Sequence, residues 1–282
     1  MKLYDKIYGV ITYQEEVVNG LQLSAAIEYS RRRQLFNNTD ESIIRNENGF
    51  TSNNPLNPYD YDTPFFETHN LAKLDLVTRI RFGQQYWMRP DGKVNIRDED
   101  YPTLYFGYNK GFAGSEKHYN FDHVNARMTY DLSLRNKGLL AMNLRAGKFF
   151  NAEGISFIDY KHFNGNRTHV GQSDRYLHVF NLLPYYESST NDQYTESHFE
   201  YYDNGYIINK IPLLNLLQST LVIGFHNLTV PERKPYQEAT IGLDNLGFGK
   251  FRLFRLDYVR SYQSGFREDG VIFGIKFLNL LD

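Results

Sequence analysis

Eight histidines are the residues best equipped for chemistry in this chain, and their spacing argues against it. His118/His123, His162/His169 and His178/His198 include no helical i,i+4 pair and no spacing typical of a zinc site, so they read as isolated strand or loop residues. Asp60-Tyr-Asp62 and Asp98-Glu-Asp100 bring carboxylates together, but neither has the ordered ligand spacing of a calcium loop, and both read as solvated charge. No Gly-Xaa-Ser-Xaa-Gly elbow occurs, and the absence of cysteine removes any thiolate metal site or disulfide framework. The expectation is a protein that is not an enzyme and uses no metal or cofactor. The residues that stand out are instead a charged set: Lys73, Asp75, Arg79, Arg81, Arg127, Asp131 and Arg145. Cations and carboxylates alternate with apolar residues at a period of two, and side by side they would brace a wall or set an ion preference.

The elements holding these charges are strands. In residues 71–88, Leu74, Leu76, Ile80, Phe82, Tyr86 and Met88 share one face while Lys73, Asp75, Arg79, Arg81 and Gln85 share the other. A helix would scatter these charges around its axis. Residues 4–17 and 21–36 flank Val18-Asn19-Gly20, a favoured hairpin turn. Residues 37–70 form a long polar connection and 89–100 a charged turn. Further alternating strands lie at 103–108, 123–135, 140–147, 155–163, 194–202, 219–227, 237–243 and 251–262. The polar connection 164–192 is interrupted at 176–183. In the closing strand, Val271, Phe273, Ile275 and Phe277 fall on one face and Ile272, Gly274 and Lys276 on the other.

About twelve strands result, several longer than the ~5–6 residues usual in soluble proteins. Alternation alone does not say which face is inside. A sandwich buries the apolar face, whereas a transmembrane barrel turns it to lipid around a mixed-charge lumen. Strand length, 23 tyrosines suited to a water–lipid boundary, and a terminal strand rich in aromatics favour the barrel. Mean hydropathy is -0.55 and no stretch approaches ~20 apolar residues, which excludes helical spans but not a barrel. A net charge of -2 gives no reason to expect nucleic-acid binding. Residues 1–8 lack the apolar core of a signal peptide, so a secreted barrel of this sequence is expected to begin inside a larger protein.

Tyr86-Trp-Met-Arg-Pro-Asp-Gly-Lys-Val-Asn95, Tyr101-Pro-Thr-Leu-Tyr105, Asp159-Tyr-Lys-His-Phe-Asn-Gly-Asn166, Leu183-Pro-Tyr-Tyr-Glu187 and Asn209-Lys-Ile-Pro-Leu-Leu214 recur in this order in one known group. From about Leu71 onward the chain resembles the Bacteroidetes outer-membrane proteins called carboxypeptidase-like regulatory-domain proteins, whose barrel has no known function. That resemblance implies a bacterial outer-membrane location and a C-terminal barrel part, residues 1–282 forming one domain of a larger, about 16-stranded barrel. The signal peptide, N-terminal sandwich domain and first strands of the family would lie outside it. The name implies no peptidase activity.

More distantly, Phe157–Asn166, Ile241-Gly-Leu243 and Gly247–Tyr258 are similar to the last connections of Bam-type insertase and surface-antigen barrels. Asn166 stands where a second Gly is usual there, and the lumen motif is missing, which puts insertase activity in doubt. The analogy implies a seam edge at Val271, Phe273, Ile275 and Phe277. It also implies a lumen loop comprising Phe163, Asn164, Gly165, Asn166, Pro184, Tyr185 and Tyr186.

The function expected is a structural or assembly-type outer-membrane barrel whose partners are outer-membrane lipid and other envelope proteins. The alternatives are a passive pore for small solutes and, more weakly, a soluble β-sandwich binding module. Two further expectations follow. The isolated chain should leave the edge at 270–277 unpaired. Counting twelve strands back from a periplasmic end places residues 37–70 on the periplasmic side, where turns are usually short.

Overall fold

The computed structural model describes residues 2–36, 51–96, 100–165, 168–171, 177–212, 214–249 and 251–276. The strands are β1 (Tyr4–Val18), β2 (Leu21–Gln34), β3 (His69–Arg81), β4 (Tyr86–Arg89), β5 (Gly92–Asn95), β6 (Thr103–Phe112), β7 (Phe121–Ser133), β8 (Leu139–Phe150), β9 (Thr168–Gly171), β10 (Gln193–Tyr202), β11 (Thr220–Thr229), β12 (Tyr236–Phe248), β13 (Phe251–Tyr262) and β14 (Phe266–Lys276). Among the described residues only short 3-10 turns accompany them, and the fold is all-β. Eleven strands form one antiparallel meander in the order β1-β2-β3-β6-β7-β8-β10-β11-β12-β13-β14, and β9 adds to its far edge in parallel. Each neighbouring pair is joined in sequence, which keeps strand pairing local. At Asn19-Gly20 the glycine adopts φ +82°, as the expected hairpin turn requires.

The burial pattern decides the question that alternation left open. In β2, Ser30, Arg32 and Gln34 are buried while Ile27 and Tyr29, on the opposite face, are exposed. In β10 the buried row is Tyr194, Glu196, His198, Glu200 and Tyr202, and in β12 it is Tyr236, Glu238, Thr240, Gly242 and Asp244. The polar face is covered, and the apolar face is open.

What covers the polar face is the connection 151–192. Phe163, Phe180 and Leu183 from it join one buried cluster with Leu71 of β3, Phe121 of β7, Phe149 of β8, Tyr194 of β10, Leu228 of β11 and Tyr236 of β12. The sheet also curls. Laid flat, eleven strands would separate β1 from β14 by about 50 Å. Instead the insert reaches strands at or next to both edges: Asp159 binds Arg32 of β2 at 2.7 Å, and Glu187 binds Arg267 of β14 at 2.7 Å.

The structure corrects several expectations. Residues 155–163 are not a strand but a 3-10 turn at Phe157–Asp159 within the insert. Their apolar side chains answer to the insert's own packing, with Ile155 and Phe163 buried beneath it. Removing that strand changes the parity of the count. The connection after β2 therefore lies at the end opposite to the one where β14 finishes, and the conflict over its side disappears. Residues 71–88 are not one strand either. β3 stops at Arg81, Gly83 turns the chain at φ +65°, and β4–β5 form a separate hairpin, so the supposed charged turn 89–100 contains a strand. The alternation ran through this break because the hairpin resumes the same period.

β14 begins four residues before Gly270, and its outer edge is not unpaired: Phe273–Lys276 pair with β9. Among the described residues it is β1 whose outer edge lacks a strand partner. The two edge strands do not pair with each other. With eleven antiparallel strands they run the same way, so direct pairing between them would be parallel.

Candidate functional site

Two surfaces are candidates, one on each face of the sheet. The covered face holds buried charge. Arg32 of β2 donates to Asp159 of the insert at 2.7 Å, and Lys73 of β3 pairs with the same carboxylate. Arg255 binds Glu200 at 2.7 Å and Asp257 at 2.7 Å, tying β13 to β10. Glu196 meets His198 at 2.9 Å, and His198 Nδ1 lies 2.9 Å from His226 Nδ1, with Phe180 of the insert packed 4.8 Å from the His198 ring. Desolvated ions of this kind persist only when paired and hydrogen-bonded, which explains why they come in opposite-charge sets.

Glu238 latches the insert. Its carboxylate accepts from the backbone N–H of Asn181 at 2.7 Å, from that of Leu182 at 2.8 Å, from the Asn181 side chain at 3.0 Å and from the Tyr236 hydroxyl at 2.7 Å. Nearby, Asn143 of β8 donates to the Leu177 carbonyl at 2.8 Å, and Arg127 of β7 donates to His178 at 3.3 Å. Burial and then the neighbouring Arg127 push the His178 imidazole down to about 4, so it is neutral where it docks. Burial likewise holds His162 at about 4. At the far end of β10, Asp203 accepts from the backbone N–H groups of Ile207, Ile208 and Leu221. Burial pushes that carboxyl up, but the backbone donors outweigh it and leave it lowered.

All seven charged residues selected from the sequence lie on the covered face by strand alternation: four on β3, two on β7 and one on β8. Their partners include residues outside that set: Asp159 for Lys73, Asn109 for Asp75, Asn143 for Arg127 and Glu196 for Arg145. Glu196, Glu200, Glu238, Arg255 and Asp257 stand outside that charged set although they share its face, and His198, which reads as an isolated strand histidine, is paired with Glu196. The signal for them was present, since Glu196-Ser-His-Phe-Glu200 and Arg255-Leu-Asp257 have the same period of two.

Of the expected loop residues, Phe163 is buried, Asn164 donates to the His178 carbonyl and Gly165 bridges Phe180. Pro184 and Tyr185 are exposed, and Tyr186 packs within the insert against Phe157 and His162. Asn166 lies outside the described residues. Of the expected seam, Val271 and Phe273 are exposed, Ile275 is half-buried and Phe277 lies outside the described residues. Among the described residues no group of three or more His, Asp or Glu is arranged to hold a metal.

The open face is an apolar band from β2 to β14. Leu76, Phe106, Val124, Ile223, Phe225, Ile241, Leu256 and Phe273 are all exposed along it. Most of its charged residues sit at one end, the end carrying the two longest connections: Arg31 and Arg33 on β2, Lys110 and Asp122 across β6–β7, Lys148 on β8, and Arg260 and Asp269 across β13–β14. From Val124 to Leu132 the outward residues of β7 are uncharged, a run close to the ~9–11 residues that a tilted strand needs to span a bilayer. Soluble monomers rarely expose apolar patches beyond a few hundred Å².

The model for the C-terminal domain of a family of unknown function (DUF5686) matches residues 1–243, reaching well before Leu71 and ending before β13. No curated protein matches. Among solved structures, the chain is similar to the crystal structure of BamA from Haemophilus ducreyi lacking POTRA domains 1-3. The identity is 10% and the TM-score 0.40, over 95% of this chain and 61% of that one. The chain thus spans less than two thirds of that structure's length.

Proposed function

The chain belongs to the DUF5686 C-terminal domain family, and from that premise we propose that it is an integral β-barrel protein of the bacterial outer membrane, of structural or assembly type and without enzymatic activity. One observation carries the reading: along the antiparallel meander from β2 to β14, as in β2, β10 and β12, the apolar face points away from the packed, charged face. In water that arrangement would forgo most of the hydrophobic stabilisation available to the sequence, about 1.5–3 kcal/mol for each large side chain left outside. In lipid the same face is solvated, and the paired charges occupy the side away from the hydrocarbon. On this reading outer-membrane lipid is the principal partner, with other envelope proteins at the edges. Kinship with the carboxypeptidase-like regulatory-domain proteins of Bacteroidetes, and completion of an even-numbered barrel of about 16 strands by chain outside this sequence, belong to the same proposal.

The insert favours a sealed barrel over the alternative of a passive pore, because Phe180, Leu182 and Leu183 are buried where a solute would pass. Two measurements on the protein in its longest natural form test the reading. It should float with lipid vesicles after a carbonate wash, and it should give no steady conductance in planar bilayers. Recovery as a monodisperse monomer without detergent would favour the soluble sandwich, and steady open channels would favour the pore.

A further inference from the structure

The apolar band is not smooth. A hollow of about 970 Å³ opens on it across β6, β7 and β8 and continues toward β10 and β11. Ala126 and Ala146, cross-strand neighbours on β7 and β8, form its floor, and Phe106, Val124 and Phe150 stand around it. The volume lies at the top of the ~300–1,000 Å³ range of small-molecule sites. An apolar hollow facing hydrocarbon has an obvious filling, an acyl chain, but any lipid would supply that.

Lys148 makes the site selective. It lines the hollow at the charged end of the band, with its ammonium 5.6 Å from the centre of the Phe150 ring. Among the described residues no carboxylate lies within ion-pair distance of it. Lys110, at the same end of β6, is by contrast neutralised by Asp122 at 2.7 Å. A cation backed by an aromatic ring, at the edge of an apolar band and above an apolar hollow, matches a lipid whose phosphate sits at the interface and whose chains descend from it. Resting on the membrane reading above, we propose that this hollow is a specific site for one phosphate-bearing acyl lipid, with Lys148 holding the phosphate and the Ala126–Ala146 floor receiving the chains.

The test uses the full chain reconstituted in vesicles of phosphatidylethanolamine and phosphatidylglycerol, extracted into mild detergent and weighed by native mass spectrometry. One phosphate-bearing lipid should stay bound to the unaltered protein, with at least tenfold less retained by Lys148→Glu and by Ala146→Leu, which fills the floor. Lys148→Arg should retain it, and diacylglycerol, which lacks the phosphate, should not compete. Equal retention by the unaltered protein and Lys148→Glu would sink the proposal, as would diacylglycerol competing as well as phosphatidylglycerol. Flotation of the same vesicles separates the two levels of argument. Variants that float normally but show no selective loss overturn only the lipid site, whereas an unaltered protein that does not float overturns the membrane reading and the site together.

Discussion

Glu238 shows how much one side chain can organise here. A fully buried carboxylate that accepts two backbone N–H bonds from the insert cannot be removed without leaving those donors orphaned. Glu238→Ala should loosen residues 177–183 by on the order of 3 kcal/mol, read as faster amide exchange there with the strand core still protected. His178 gives the same segment a pH dependence. Its imidazole is held at about 4 by burial and by Arg127, against ~6.5 when undocked. Between those values the undocked form takes up a proton that the docked form refuses, so docking is full above pH ~6.5 and weakens as pH falls toward 4. Exchange in 177–183, corrected for intrinsic rates, should therefore rise between pH 7.5 and 5. The rise should be smaller in His178→Gln; an unchanged slope would remove His178 from the account.

At the scale of the strand, the inverted faces make a prediction that separates lipid from water. Ile241 is 51% exposed at the middle of β12, between Ile223 and Tyr258. On a soluble surface Ile241→Arg would change stability by no more than about 0.5 kcal/mol. Facing a bilayer midplane it should cost about 2–4 kcal/mol, measured as a shift in the denaturant midpoint of the vesicle-inserted protein. The strands themselves were largely legible: β13 was bounded correctly at both ends from alternation alone, and β7 to within two residues. Residues 155–163 were misread because apolar residues that pack inside an irregular insert can mimic a period of two over a short run. The β3–β4 break was missed because one glycine with positive φ reverses the chain without disturbing the hydrophobic pattern on either side.

For the molecule as a whole, the insert links parts distant in sequence. Asp159 binds β2 and β3, Glu238 of β12 receives residues 181 and 182, and Glu187 binds Arg267 of the edge strand β14. By itself the sequence determined which residues share a face, because the side-chain period of a strand is two whatever surrounds it. It also placed cations and carboxylates together on one of those faces. Which face is covered was decided only by the tertiary structure. That choice depends on where a 42-residue connection folds, and its anchors, Arg32 to Asp159 and Asn181 to Glu238, pair residues 127 and 57 positions apart. No local period encodes such a contact. It forms because charges removed from water must find opposite charges or hydrogen-bond donors, and here these come from the insert.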